Sequence, residues 1–206
     1  MLKKMLGQAF GKAEPKPADF QVSQFAEERL KALKGSSSAT LAAELLCAPT
    51  ALMQLSPEEA RVVVGYMQPR MIDEGETFIK EGDTQNTDHM LLLLGGEVTV
   101  ETITVSRVAP VTVTVLGPGS LIGEMGLLDG EPRSASCTAS TDVRAAVLTR
   151  AALEQLMQDD SAVAAKLLLA VSLRIAQRQR DTADKLKLYS QLVGAMQQEI
   201  DRLMPT

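Results

Sequence analysis

Cysteine occurs twice in the 206 residues and histidine once. Cys47 and Cys137 are too few and too far apart in sequence for a sulfur-rich metal cage, and no disulfide between them follows from sequence. Both are expected as buried small hydrophobes. His89 leads into an apolar run with nothing nearby to supply a second nitrogen ligand, so it is read as structural, and no zinc or haem site follows. No apolar run approaches the ~20 residues that cross a bilayer, and the N-terminus lacks the apolar segment and cleavage site of a secretory signal. A cytoplasmic protein with no membrane span is expected. An excess of positive charge is missing too: the net charge of -5 speaks against nonspecific binding of polyanions, although a local basic patch is compatible with an acidic chain. What is present is a hydrophobic content of 45%, enough for one core domain with helical extensions.

Residues 1–19 combine Lys3, Lys4, Lys12 and Lys16 with Pro15 and Pro17 and read as a terminal arm. Met1, Leu2, Met5, Leu6 and Phe10 give it a basic amphipathic pattern suited to a membrane surface or a partner; the plainer reading is a frayed terminus. Val22, Phe25, Leu30 and Leu33 mark a helix over residues 20–34, ended by Gly35 and the serines after it, and a second helix is expected from near Thr40 to the break at Pro49. Neither carries a functional reading. Ser56, Pro57 and Glu59 form a helix start with an N-cap, a proline at the first helical position and a reciprocal carboxylate, and that helix is expected to end near Met67. From Met71 the pattern changes to short strands, at 77–80, 89–94, 98–105, 111–116, 136–139 and 143–148, which predicts an antiparallel barrel or sandwich. Residues 83–88 are too polar to be anything but a loop.

The stretch 116–136 stands apart. Gly117, Gly119, Gly123, Gly126 and Gly130, with Pro118 and Pro132, force repeated sharp turns. Between Gly123 and Gly130 the chain closes one or two helical turns whose free N–H groups attract an anion. Arg133 follows, with a planar fork of donors matched to phosphate oxygens. Ser134 and Ser136 have no general base beside them and read as phosphate hydrogen-bond donors, not nucleophiles. Glu124 would repel a phosphate, so its task is to accept a hydrogen bond from a sugar hydroxyl. A ribose phosphate is the natural guest. Paired with Asp129, Glu124 would make the one acid/base pair on offer, but bound to ribose it faces no leaving group, and no enzymatic turnover is expected.

These residues carry a resemblance. Gly123-Glu124, the apolar Met125, Leu127 and Leu128, then Pro132-Arg133-Ser134-Ala135, are similar to the phosphate-binding cassette of the cyclic nucleotide-binding domain found in the bacterial catabolite activator protein family. The likeness extends to Glu81-Gly82-Asp83, Gly95-Gly96-Glu97-Val98 and Leu116-Gly117-Pro118-Gly119, and covers about 55–190. It implies an α+β fold, an antiparallel β-barrel or jelly roll with N-terminal helices and a long C-terminal dimerisation helix. It also implies cyclic AMP as the first-choice ligand, with cyclic GMP left open because Ser134 also suits a guanine ligand. Gly123, Glu124, Met125, Arg133, Ser134 and Ala135 would form the cassette, with Glu124 on the ribose hydroxyl and Arg133 and Ser134 on the cyclic phosphate.

The last third reads as helical: a short helix over 151–158, then a new start at Asp160-Ser161 that meets no glycine until Gly194 and no proline until Pro205. Leu168, Ile175, Leu186, Tyr189, Val193, Met196, Ile200 and Leu203 fall on alternating steps of three and four, the seam of a coiled coil, and a second copy is the simplest partner. Ser172, Gln179 and Thr182 interrupt it, either to fix register or to reach the ligand. In the resembling family an Arg and, one turn later, a Thr approach the purine, and Arg178 and Thr182 have that spacing; Ala183 stands where the family has a serine. The divisions expected are 1–50 for the arm and N-terminal helices, 51–158 for the barrel and 159–206 for the long helix. Only 191–206 remains beyond the region of resemblance, less than the ~60 residues of a winged helix-turn-helix. The expectation is a homodimeric sensor acting through an unidentified effector protein. Its alternatives are a DNA-binding regulator using Arg174, Arg178 and Arg180, and a ligand-free coiled-coil adaptor.

Overall fold

The computed structural model describes residues 29, 31, 35–48, 51, 54–103 and 110–203. The basic arm and most of the helix expected over 20–34 lie outside the described residues. The first described helix, α1 (Ser37–Leu46), starts earlier than expected because the Ser36 hydroxyl caps it, accepting from the Ala39 amide at 3.2 Å. Helix α2 (Pro57–Val64) has the full reciprocal cap: Ser56 accepts from the Glu59 amide at 3.3 Å and Glu59 accepts from the Ser56 amide at 2.9 Å.

Eight strands follow: β1 (Gln68–Ile72), β2 (Thr77–Ile79), β3 (His89–Gly95), β4 (Val98–Ile103), β5 (Pro110–Leu116), β6 (Leu121–Ile122), β7 (Ser136–Ala139) and β8 (Val143–Thr149). They form two four-stranded sheets, ordered β1-β8-β3-β6 and β2-β7-β4-β5, with every pairing antiparallel. The expected strands are all present, and β1 and β6 are added to them. Strand β1 carries Pro69 in mid-strand, which an edge position tolerates because one row of its backbone groups needs no partner.

Strand β3 explains its own unbroken apolar run. Met90, Leu92 and Leu94 face the helices, whereas Leu91 and Leu93 face the space between the sheets, so neither side meets water. The inter-sheet core adds Ile72, Ile79, Val98, Ile122 and Cys137. The helical core gathers α1, α2, α3 (Glu124–Asp129), α4 (Arg150–Asp159) and the first turns of α5 (Ser161–Leu203).

Helix α5 is 43 residues long and runs through Gly194 unbroken. It is separated from α4 by Asp160, whose φ of -148° and ψ of 80° leave the helical region and whose carboxylate accepts from the Val163 amide at 3.0 Å. Val163, Ala164, Leu167, Ala170 and Val171 are buried against the rest of the chain. Leu168 and Ile175, assigned by periodicity to an intermolecular seam, pack partly against this same core, because the barrel already covers that end of the helix. From Leu186 onward the seam stands free: Leu186, Tyr189, Val193, Met196, Ile200 and Leu203 are 44% to 72% exposed. Among the described residues no helix is long and apolar enough to cross a membrane.

Two contacts from the α2 region straddle the α4–α5 break. The Tyr66 hydroxyl donates to Asp159 at 2.8 Å, and Lys166 pairs with Glu59, which is 4% exposed. Replacing Glu59 with Ala should cost about 1–2 kcal/mol in urea unfolding, since it removes a helix cap and strands the Ser56 amide. Glu59→Gln should recover most of the cap contribution but not the ion pair.

Candidate functional site

The cassette is built on two glycines that no other residue replaces without strain. Gly123, the N-cap of α3, has φ 81°, and Gly130, its C-cap, has φ 73°; both lie in the left-handed region. At Gly123 a second constraint applies. An added Cβ would stand 2.6 Å from Arg133 Nη1 and 3.1 Å from the His89 carbonyl. The backbone is therefore bare where the guanidinium passes.

Arg133 is 5% exposed. It donates from Nη1 to the Gly123 carbonyl at 2.8 Å, from Nη2 to the His89 carbonyl at 2.8 Å and from Nε to the Asn86 carbonyl at 3.0 Å. Its backbone amide donates to the Asp83 carbonyl at 3.0 Å, and its carbonyl accepts from Gly82 at 2.8 Å. Among the described residues no carboxylate comes within ion-pair distance of this guanidinium. Burial pulls its pKa down from the ordinary value, opposed by the fields of Cys137, Asp88, Asp83 and Glu124. A buried cation whose direct partners are carbonyl dipoles, with carboxylates only at a distance, favours an arriving anion.

Glu124, 2% exposed, is the opposite case. Its carboxylate is paired with Arg178 from α5, so a buried anion is balanced by a cation from 54 residues away. The sequence reading set Arg178 near the base; here it lies against the carboxylate assigned to the ribose. Between Glu124 and Arg133 opens a cleft of about 630 Å³, mouth included. Gly123, Met125, Ser134, Ala135 and Arg178 also line it. Thr182 does not: its hydroxyl donates to the Arg178 carbonyl at 2.8 Å, along its own helix. Ser136 likewise turns away from the cleft and accepts from the Glu81 amide at 3.0 Å, tying β7 to the Glu81-Gly82-Asp83 turn.

Several contributors escaped the sequence reading. Val100 and Leu116 form part of the cleft wall, placed there by the β4–β5 register that sets Val98 opposite Leu116. Arg150, at the start of α4, donates to the Gly126 carbonyl at 2.9 Å and so holds the middle of α3. A lone arginine gives no signal of such a role. His89 presents Nδ1 to Asp88 at 3.4 Å and to Arg133 at 3.5 Å, while Nε2 is buried without a partner. Burial pushes its pKa down, so the ring is neutral at pH 7. Among the described residues no cluster of metal-ligating side chains occurs.

Cys137 lies at the cleft floor, and burial pushes its thiol up to about 11. The folded state thus holds its proton where the unfolded chain, with an ordinary thiol pKa of 9.0, releases it. Stability from this group is full below pH 9 and is lost as pH rises through about 11, so Cys137→Ala should flatten that alkaline fall in thermal melts. Gly123→Ala should lower the melting free energy by about 1–2 kcal/mol, from left-handed strain and a displaced Arg133, as read by denaturant titration.

The profile described as the cyclic nucleotide-binding domain matches residues 69–160. The chain is 26% identical over 145 residues to a CRP-like cAMP-activated global transcriptional regulator of Mycobacterium tuberculosis, which spans 68% of this chain and 62% of that protein. It is 34% identical over 96 residues to the cyclic AMP receptor protein of Thermus thermophilus, with 47% of this chain and 43% of the relative covered. The chain therefore spans less than two thirds of the length of either. Among solved structures, a cyclic nucleotide-binding domain from Methylobacillus flagellatus superposes with a TM-score of 0.63 at 32% identity, over 73% of this chain and 83% of that one. With that profile matched over 69–160 and that structure matched at 32% identity over 83% of its length, the chain belongs to the cyclic nucleotide-binding domain family, with CRP-like regulators among its relatives.

Proposed function

We propose that the cleft between Glu124 and Arg133 binds cyclic AMP and that the protein is a dimeric sensor. Cyclic GMP is the competing ligand. The observation that carries this reading is the buried, carboxylate-free guanidinium of Arg133 beside the first turn of α3. A cyclic phosphate would add the missing negative charge, with the Ser134 hydroxyl and the backbone around Ala135 as further donors. Glu124 faces the cleft from the other side and would take the ribose hydroxyl, a demand that inorganic phosphate cannot meet. Met125 and Val100 supply apolar wall for the rest of the ligand. Thr182 would reach the purine only after α5 moves, because its hydroxyl is occupied along the helix.

The Glu124–Arg178 pair gives the reading a mechanism. A ribose hydroxyl bound to Glu124 competes with Arg178, so occupancy alters the hold on α5. The Asp160 break is the pivot, and the 51–158 and 159–206 segments are the two bodies that turn about it. The exposed seam from Leu186 to Leu203 pairs with that of a second copy, and the output is a changed surface offered to an effector protein.

Calorimetric titration of nucleotide-stripped protein with cyclic AMP, cyclic GMP and 5′-AMP decides it. Micromolar or tighter binding of one cyclic nucleotide, with little for 5′-AMP, is expected. Ser134→Ala should weaken that binding roughly tenfold. Arg133→Ala should abolish it, with light scattering showing the same assembly as the parent. Equal binding of 5′-AMP, or retained affinity in Arg133→Ala, would overturn the phosphate assignment.

A further inference from the structure

A second stripe runs along the free half of α5 beside the first. Leu188, Leu192 and Ala195 form its centre, Asp181 and Lys185 lie toward the barrel, and Glu199 and Arg202 lie toward the far end. The steps alternate between four and three residues, so all seven share one face of the helix. Every one is exposed in the single chain, Leu188 at 63% and Leu192 at 55%. A two-helix seam through Leu186, Tyr189, Val193 and Met196 leaves this stripe in water. Together the two stripes make an apolar face wider than a two-stranded coil covers, the width that a helix in a four-helix bundle presents.

The charges choose the partner and its direction. Counted from Leu192, Lys185 and Glu199 are equally distant on opposite sides, and Asp181 and Arg202 are nearly so. In a parallel, in-register pair each of them would meet its own sign. In an antiparallel pair centred on Leu192, Lys185 meets Glu199 and Asp181 meets Arg202, and the twofold axis makes each pair occur twice. Within one chain the alternative partners are neutral or weak: Asp181 accepts from Gln177 at 2.8 Å, and Arg202 and Glu199 approach only to 4.0 Å, with their side chains 80% and 61% exposed. We propose that this stripe is a self-complementary docking surface for a second copy of the chain, running antiparallel and joining two dimers tail to tail through a bundle of four α5 helices. The inference rests on the dimer reading above for the first seam.

Light scattering on the full chain across a salt series separates the two. A tetramer is expected. Lys185→Glu, which sets Glu against Glu199, should raise the tetramer-to-dimer dissociation constant at least tenfold, and Lys185→Glu with Glu199→Lys should restore the tetramer. Leu192→Glu should give dimers that still bind cyclic AMP. A dimeric parent protein, an unaffected Lys185→Glu, or a double variant that fails to recover would overturn the second seam alone. A monomeric parent would overturn both seams.

Discussion

The guanidinium of Arg133 holds the site together. Three of its donors end on the carbonyls of Asn86, His89 and Gly123, which belong to a polar loop, the start of β3 and the cap of α3. These three segments share no regular hydrogen-bond ladder at that point, so the side chain supplies the links that a sheet would otherwise give. The left-handed glycine at 123 follows from the same contact, because a Cβ there would collide with the arginine. Arg150 completes the arrangement by holding Gly126 from α4. Cassette, loop and hinge helix therefore move as connected pieces, and a ligand that draws on Arg133 acts on all of them.

Helix α5 is tied to the rest of the chain by a matching device used twice. Glu59 and Glu124 are both nearly sealed from solvent, and each takes its counterion from α5, Lys166 in one case and Arg178 in the other. Breaking either pair would strand a buried carboxylate, which makes each contact costly to lose without replacement. The two differ in what replacement is at hand. Glu59 keeps the Ser56 amide if Lys166 leaves, but it has no ligand cleft beside it. Glu124 opens onto the cleft, where the proposed ribose hydroxyl would take the place of Arg178. On the proposed function, the pair near the hinge would be the fixed point and the pair farther along the one that a ligand releases.

Local chemistry was legible in the sequence, and distant pairing was not. The Ser56 cap, the paired glycines of α3, the strand at 136–139 and the break at Asp160 each declare themselves within a few residues, where turn and cap rules operate. Strand β6 is two residues long and β1 holds a proline, so neither has the periodicity that marks a strand. The partnership of Glu124 with Arg178 spans 54 positions and depends on how α5 crosses the cassette. The same crossing sets Leu168 and Ile175, which periodicity assigns to a seam, partly against the chain's own core. Periodicity reports which face is apolar, and only the packed fold reports what covers it.

The length of α5 joins the site to assembly. At about 1.5 Å per residue its 43 residues extend roughly 65 Å, and the barrel grips only the first few turns. A tilt of about 5° at Asp160 would then swing the far end sideways by roughly 5–6 Å, more than half the ~8–10 Å spacing between packed helices. Seams built from side chains at alternating steps of three and four do not accommodate such a swing gradually, because it pulls the interlocked side chains out of contact. An assembly of these helices would therefore prefer one tilt over another by the free energy of its seams. By reciprocity, whatever occupancy of the cleft does to the seams, the seams do to the affinity of the cleft. In such an assembly the apolar residues beyond Leu186 would act at a distance on Glu124, through a stiff helix and a break at Asp160 about which it can turn.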